Sequence, residues 1–408
     1  MNLSHIAPGA RGCPQTSANS REKVRTADTF STLQIGYIVA SDGQPMTGSE
    51  RYYFDLLQKL PSFGVENMGL VVGEPGKKAP ASKIEGFAPE RGMRARERIG
   101  NLRRAVRRIE PQVSLVVTHS PEHALPVLDL IRRKPLVVHF HGPRTLEYVA
   151  EGKSFRRIAM AQIAETLTYA RAVRFVVLSE ANAKILRERY RIAPERISIV
   201  PGAVDTTQFR PAVSRAEARA KLGWPQNRPI VTAVRRLAHT KGLENLIDAI
   251  ALVKARMPQA YFPIVGAGPL LEALRARADA LGLADHVLFA GQIHEDLPLA
   301  YRAANFSIVP SVQLEGFGLS VVESLACGTP ALVTPVTGLP EVVRDLDEGL
   351  ILSGTSPEDL ANGIVAALSH PERLPSEDAC LEYVQRFAWN SIAARIKMVY
   401  EDVLQRAE

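Results

Sequence analysis

The chain has 408 residues and a formal net charge of +7, with 46% hydrophobic residues, 23% charged residues and three cysteines. That length exceeds one core of ordinary size and predicts two domains of a soluble globular protein. No apolar run is long enough to cross a bilayer. Cys13, Cys327 and Cys380 are odd in number and widely spaced, which argues against a disulfide framework or a zinc site and predicts a reducing, cytoplasmic setting.

Residues 1–31 are polar, with Pro, Gly, Ser and Arg but no apolar segment of a signal peptide, and read as a disordered leader. A first domain is expected over 32–204. Residues 33–40 read as its buried first strand, followed by a long loop through Thr47-Gly48-Ser49-Glu50 and a helix starting near Ser49. Further strands are expected at 69–72, 113–118, 136–140 and 174–179, mostly with helices between them. Arg94, Arg96, Arg98, Arg103, Arg104, Arg107 and Arg108 crowd one stretch, through which Ile99, Leu102, Val106 and Ile109 run as a single apolar stripe. The spacing predicts an amphipathic helix with a basic outer face. That face either is solvated and packed on its own domain, or draws the protein to anionic lipid or a lipid-linked phosphate acceptor. Nucleic acid is not expected as a partner, because no basic run carries interleaved aromatics on which bases could stack.

His139-Phe140-His141-Gly142 ends one strand and His119 ends another. Strand alternation points His139 and His141 the same way. With no carboxylate cluster beside them, buried and hydrogen-bonded histidines are expected, and no metal. Pro and Gly density over 200–211 marks a linker, and a second domain is expected over 205–389. Its strands are placed at 229–234, 260–265, 287–290, 305–309 and 330–334. Near-continuous apolar strands alternating with helices predict parallel, doubly wound α/β sheets in both halves. A final helix is expected at 390–406.

Arg235-Arg236-Leu237-Ala238-His239-Thr240-Lys241-Gly242 follows the first strand of the second half, where fixed cations can stabilise a departing anion. Gly266-Ala267-Gly268-Pro269 follows another strand. It lacks the third glycine of a dinucleotide fingerprint, since Leu271 stands there, so NAD is not expected. Glu315-Gly316-Phe317-Gly318-Leu319 leads from a strand into a helix that carries Glu323. Glycines let a ligand approach the backbone, helix-start amides hold phosphate, and carboxylates accept from sugar hydroxyls. Phosphate and hydroxyls together describe a nucleotide-sugar.

Glu315 and Glu323, with Phe317-Gly318 between them, resemble the E-x7-E motif of retaining glycosyltransferase family four. Arg235 to Gly242 resembles that family's G-R-L-x-x-x-K-G, with Arg235 in place of its first Gly, and 200–211 resembles its interdomain connector. The resemblance runs from Leu33 to Leu404. It implies the GT-B fold, two Rossmann-like domains facing across a cleft, with the last helix completing the first. It further implies a UDP- or GDP-linked sugar donor, no cofactor, no catalytic metal, and a sugar, lipid-linked or small-molecule hydroxyl acceptor. By resemblance, Arg236 and Lys241 grip the donor diphosphate, Glu315 with Phe317 and Gly318 holds the sugar, and Glu323 holds the ribose. His141 is the active-site histidine, and Gly48, Gly266 and Leu319 complete the donor-binding set. The alternatives are an epimerase on the same fold, which would act on donor alone, and a non-catalytic nucleotide-sugar-binding protein.

Overall fold

The computed structural model describes residues 29–38, 48–73, 83–89, 92–210 and 212–407. Most of the expected leader, with Cys13, and Thr47 lie outside the described residues. The first sheet comprises β1 (Phe30–Ile38), β2 (Val65–Val72), β3 (Ile84–Ala88), β4 (Leu115–Thr118), β5 (Leu136–Phe140), β6 (Arg174–Val177) and β7 (Ile197–Ile199). All pairs are parallel, in the order β3-β2-β1-β4-β5-β6-β7. The second sheet comprises β8 (Val231–Val234), β9 (Phe262–Val265), β10 (Val287–Gly291), β11 (Phe306–Val309) and β12 (Ala331–Val333), ordered β10-β9-β8-β11-β12 and again parallel. In each sheet the first strand lies inside, and the chain winds outward from it in both directions. The carboxyl ends at that reversal form a crevice for ligands.

The strands bury side chains on both faces, as parallel sheets require. Leu33, Ile35, Leu70 and Val116 of the first sheet, and Ile264, Phe306 and Ile308 of the second, are closed to solvent. Helix Gly48–Lys59 turns Tyr52, Tyr53, Leu56 and Leu57 onto the first sheet, and Tyr53 Oη donates to the Gln34 carbonyl at 3.1 Å. The last helix, Trp389–Gln405, returns to the first domain: His139 Nε2 lies 2.7 Å from Tyr400 Oη, and Arg174 pairs with Asp402.

Three details differ from the sequence reading. β1 begins at Phe30, so the sheet takes in two residues of the segment read as a leader. β3 and β7 were not expected. Both are short edge strands, one interrupted by Glu85 and Gly86, the other reading Ile-Ser-Ile after a Pro-Glu-Arg turn. The basic helix, Ala95–Ile109, buries Leu102, Val106 and Ile109 but leaves Ile99 40% exposed. Two of its arginines are tied down within the domain: Arg103 binds both carboxylate oxygens of Asp129 at 2.6 Å, and Arg108 pairs with Glu85. Arg94, Arg96, Arg104 and Arg107 remain exposed.

Candidate active site

Between the two sheets, the segment after β11 meets the segments after β5 and β6. Leu314 and Thr337 adopt left-handed backbone angles (φ 28° and 42°), where strained residues tend to mark functional loops. Thr337 Oγ1 accepts from the Glu315 amide at 2.8 Å, and Gly338 N donates to the Glu315 carbonyl at 3.1 Å. These bonds fix the backbone from which the Glu315 side chain projects. Gly318 (φ 90°) turns the chain into helix Leu319–Ala326, and a Cβ there would lie 2.5 Å from Leu339 Cδ2. Only glycine allows this turn at this separation.

The Glu315 carboxylate sits in a buried cationic cluster. Its Oε2 pairs with Arg235 Nη2, accepts from Lys241 Nζ at 2.9 Å and accepts from Ser311 Oγ at 2.9 Å. Arg235 also donates to Ser311 Oγ (2.6 Å) and to Ser320 Oγ (3.0 Å). Burial alone would raise the Glu315 carboxyl, but the charges of Arg235 and Lys241 outweigh it and hold it well below the usual carboxylate range. Burial lowers the Lys241 ammonium, with the Glu315 charge opposing that shift.

The two neighbouring arginines are placed differently. Arg235, which stands where the family has glycine, is the guanidinium that reaches Glu315. Arg236 is 44% exposed at its side chain and lies 3.8 Å from Glu151 of the first domain. Strand alternation explains the split, since neighbours at a strand end face opposite ways. Gly266 shapes the same place from below: a Cβ at its φ of 140° would stand 1.9 Å from the Arg235 carbonyl oxygen. Glu323 is held across the cleft. Its Oε1 lies 2.7 Å from Arg51 of the first domain and its Oε2 accepts from Tyr301 Oη at 2.8 Å, so both oxygens are engaged. The Phe317 side chain is buried against Phe387, ring centroids 5.5 Å apart, which leaves its backbone as the part facing a ligand. Gly48 opens the first-domain helix against Leu319, to whose Cδ1 a Cβ would come within 3.4 Å.

His141 faces this loop from β5, and its carbonyl lies near Gly316. Burial pulls its imidazole down to about 4, and burial followed by the neighbouring histidines puts His119 well below its ordinary value, so both are neutral at pH 7. Their tautomers follow from a chain of hydrogen bonds anchored on a backbone carbonyl. Asn67 Nδ2 donates to the Leu57 carbonyl at 3.4 Å, so its Oδ1 accepts from Thr32 Oγ1 (2.8 Å) and Gln34 Nε2 (3.4 Å). Gln34 Oε1 is thereby turned to His119 Nε2, 3.1 Å away, which donates. His119 Nδ1 then accepts from His141 Nε2 at 3.1 Å. His141 therefore carries its proton on Nε2 and its lone pair on Nδ1.

The domains are clasped around this site. Ser179 Oγ donates to the Gly316 carbonyl (2.8 Å), and the Glu180 and Ala181 amides donate to Glu341 (2.7 and 2.8 Å). Lys59 and Asp205 lie 2.6 Å apart, and Arg51 reaches Glu323. The cavity between His141, Asn182, Glu315 and Thr337 measures about 10 Å³, room for one water at most. The structure brings together Lys241, Glu315 and His141, which the sequence singled out, and sets beside them Arg51, Ser311 and Gln34, which it did not. Gln34 is the polar residue that breaks the apolar run from Leu33 to Ile38, and that break in pattern was the available signal.

The comparisons agree with this architecture. The Glycosyltransferase Family 4 profile matches residues 46–208, and the Glycosyl transferases group 1 profile matches residues 214–386. D-inositol 3-phosphate glycosyltransferase of Segniliparus rotundus is 34% identical over 249 residues, 60% of this chain and 55% of that protein. Its namesake from Acidothermus cellulolyticus is 36% identical over 252 residues, 59% of this chain and 56% of that protein. The chain thus spans a little over half the length of these curated relatives. Among solved structures, sucrose-phosphate synthase from Thermosynechococcus elongatus superposes with a TM-score of 0.77 at 23% identity, over 92% of this chain and 100% of that one. HepE from Anabaena in complex with UDP and glucose gives 0.75 at 20%, over 91% of this chain and 100% of that one. At those identities the likeness establishes the fold. With a family 4 profile on its first domain and a group 1 profile on its second, the chain belongs to the glycosyltransferases of the GT-B fold.

Proposed function

We propose that this protein is a retaining, metal-independent glycosyltransferase that moves a sugar from a nucleotide-sugar, UDP- or GDP-linked, to a hydroxyl acceptor. The observation that carries this reading is the Arg235–Lys241–Glu315–Ser311 cluster at the cleft floor. Glycosyl transfer expels a nucleoside diphosphate, and two preorganised cations stabilise the charge that grows on it. Lys241 and Arg235 supply that charge from the protein itself, the part a divalent metal plays elsewhere. Glu315 orients them and accepts from donor sugar hydroxyls, and His141 lines the same space beside Glu315. A carboxylate held ionised by two cations and a hydroxyl is a poor nucleophile, which disfavours a glycosyl-enzyme on Glu315. The acceptor oxygen bonds to the anomeric carbon on the face that the phosphate leaves, and its proton passes to the departing phosphate oxygen. Glu323, once released from Arg51, is positioned for the nucleotide ribose.

Two relatives are named for an anionic polyol acceptor, and the HepE structure holds UDP and glucose. An anionic acceptor suits the basic first domain. Arg94, Arg96, Arg104 and Arg107, exposed on helix Ala95–Ile109 and at its start, would add about 1 kcal/mol each near an anionic leaflet, enough for reversible peripheral attachment at low salt. No described helix is long and apolar enough to cross a membrane. Thermal melting against UDP, GDP and their common sugar conjugates tests the donor reading. Stabilisation by one nucleotide, lost in Lys241→Ala, is expected. No shift with any nucleotide would refute it.

A further inference from the structure

The first domain contains a second cavity, of about 580 Å³, between helix Ala95–Ile109, the turn at Leu125 and Pro126, and helix Phe155–Arg171. Its walls are largely apolar, with Phe87, Met93, Ile99, Leu102 and Met160 among them. That volume is ordinary for a small-molecule site. The cavity continues onto the surface. Helix Phe155–Arg171 buries Ala161, Ala164, Thr168 and Tyr169, yet its opposite side carries Met160, Ile163 and Leu167 at helical spacing, 57%, 46% and 50% exposed. A helix ordinarily turns such a stripe inward. Here Met160 belongs to both the stripe and the cavity wall, and Phe155 at the start of the helix is exposed beside Arg156 and Arg157. Arg98 and Arg103 line the cavity, Arg103 paired with Asp129, and the helix that walls it also carries the exposed Arg96, Arg104 and Arg107.

The cavity also touches the machinery of transfer. Glu122 lines it and lies 3.9 Å from Arg144, which donates to Glu147 at 2.8 Å; Glu147 in turn lines the space between His141 and Glu315. One ion-pair bridge therefore separates the apolar cavity from the donor site. His123, also in the lining, hydrogen-bonds the Gly36 carbonyl at 2.8 Å, which places the cavity at the carboxyl end of β1 where the ligand crevice opens.

We infer that this cavity holds the hydrocarbon chain of an anionic lipid acceptor, while the Met160–Ile163–Leu167 stripe rests on the bilayer that supplies it. The inference rests on the membrane-facing reading of the basic domain and goes beyond it. It assigns the acceptor a chain and gives that chain a binding site beside the point of transfer. An apolar cavity selects by buried methylene, each tightening binding about three- to fourfold. The arginines select the charged headgroup, as anionic lipid surfaces select basic ones.

The test uses the full chain and two probes: n-alkyl phosphates below their aggregation limit, and vesicles of phosphatidylcholine with or without phosphatidylglycerol. Affinity should rise severalfold per methylene from butyl to octyl phosphate in wild type. That slope should flatten in Ala95→Trp, which fills the cavity, while UDP binding to the second domain stays unchanged. Ile163→Asp, on the stripe but outside the cavity, should keep the slope and lose co-sedimentation with phosphatidylglycerol vesicles. Equal affinity for butyl, octyl and inorganic phosphate would overturn the chain site and leave only an anion site. An unaltered slope in Ala95→Trp would place the chain elsewhere and overturn it equally. Intact vesicle binding in Ile163→Asp would refute the role of the stripe. Because UDP binding is read separately, loss of the donor assignment would be seen independently of these outcomes.

Discussion

Arg235→Ala is the most informative substitution in the donor site. The Arg235 and Glu315 side chains are 6% and 12% exposed, so removing the guanidinium strips a buried carboxylate of its nearest compensating charge. Breaking a buried pair from one side costs about 3–5 kcal/mol. Lys241 and Ser311 stay on Glu315, which argues for the lower end, about 3 kcal/mol. That corresponds to a fall in melting temperature of roughly 6–12 °C for a domain of this size. The Glu315 carboxyl should rise toward its ordinary value, and turnover should drop by about 10²–10³-fold if Arg235 faces the leaving diphosphate. Arg236→Ala, exposed and 3.8 Å from its partner, should shift melting by about 1 °C or less. Differential scanning calorimetry of these two variants, of Glu315→Ala and of Arg235→Ala/Glu315→Ala completes a cycle in which the Arg235/Glu315 double variant loses less than the sum of its singles. Equal, small effects of the two arginine variants, or additivity in the cycle, would refute the assignment of Arg235 as the partner of Glu315.

Arg51→Ala should release Glu323 from the interdomain clasp, tighten UDP binding by about three- to tenfold in calorimetry, and leave Tyr301 as its remaining partner; weaker UDP binding would contradict the clasp. Long-range ¹⁵N–¹H correlation spectra should show His141 protonated at Nε2, with a mixture of tautomers in Gln34→Leu; a wild-type Nδ1–H form would break the hydrogen-bond chain drawn from Leu57. Burial lowers the folded-state value of His141 to about 4 against an unfolded value near 6.5, so stability is full above about pH 6.5 and is lost as pH falls toward 4, by up to about 3 kcal/mol from this group. Urea titrations at pH 7.5 and 5 read that difference, and equal midpoints would exclude it. Activity should persist in excess chelator, since Arg235 and Lys241 supply the cationic charge; loss restored by a divalent ion would assign that charge to a metal.

The long apolar strands β1, β5 and β11 and the linker after β7 were legible in the sequence because parallel sheets bury both faces and connectors collect Pro and Gly. The edge strands β3 and β7 were not, since a short half-exposed strand lacks both signals. Glu315 and Lys241 could be found from motif spacing, as spacing along one loop reports local geometry. The partners of Glu323 could not be found. Arg51 lies on another domain, and a contact across a cleft leaves no periodicity in either segment. Which of Arg235 and Arg236 pairs with Glu315 was likewise beyond the motif, because it turns on which way each neighbour faces just after β8.

Proton NMR of sugar release from a panel of UDP- and GDP-sugars in chelator tests the central claim most directly. Slow turnover on water as acceptor needs no knowledge of the natural one. The account predicts release from one donor, with the anomer of the donor linkage appearing first, and its loss in Lys241→Ala. Initial appearance of the opposite anomer, or release unaffected by Lys241→Ala, would contradict it.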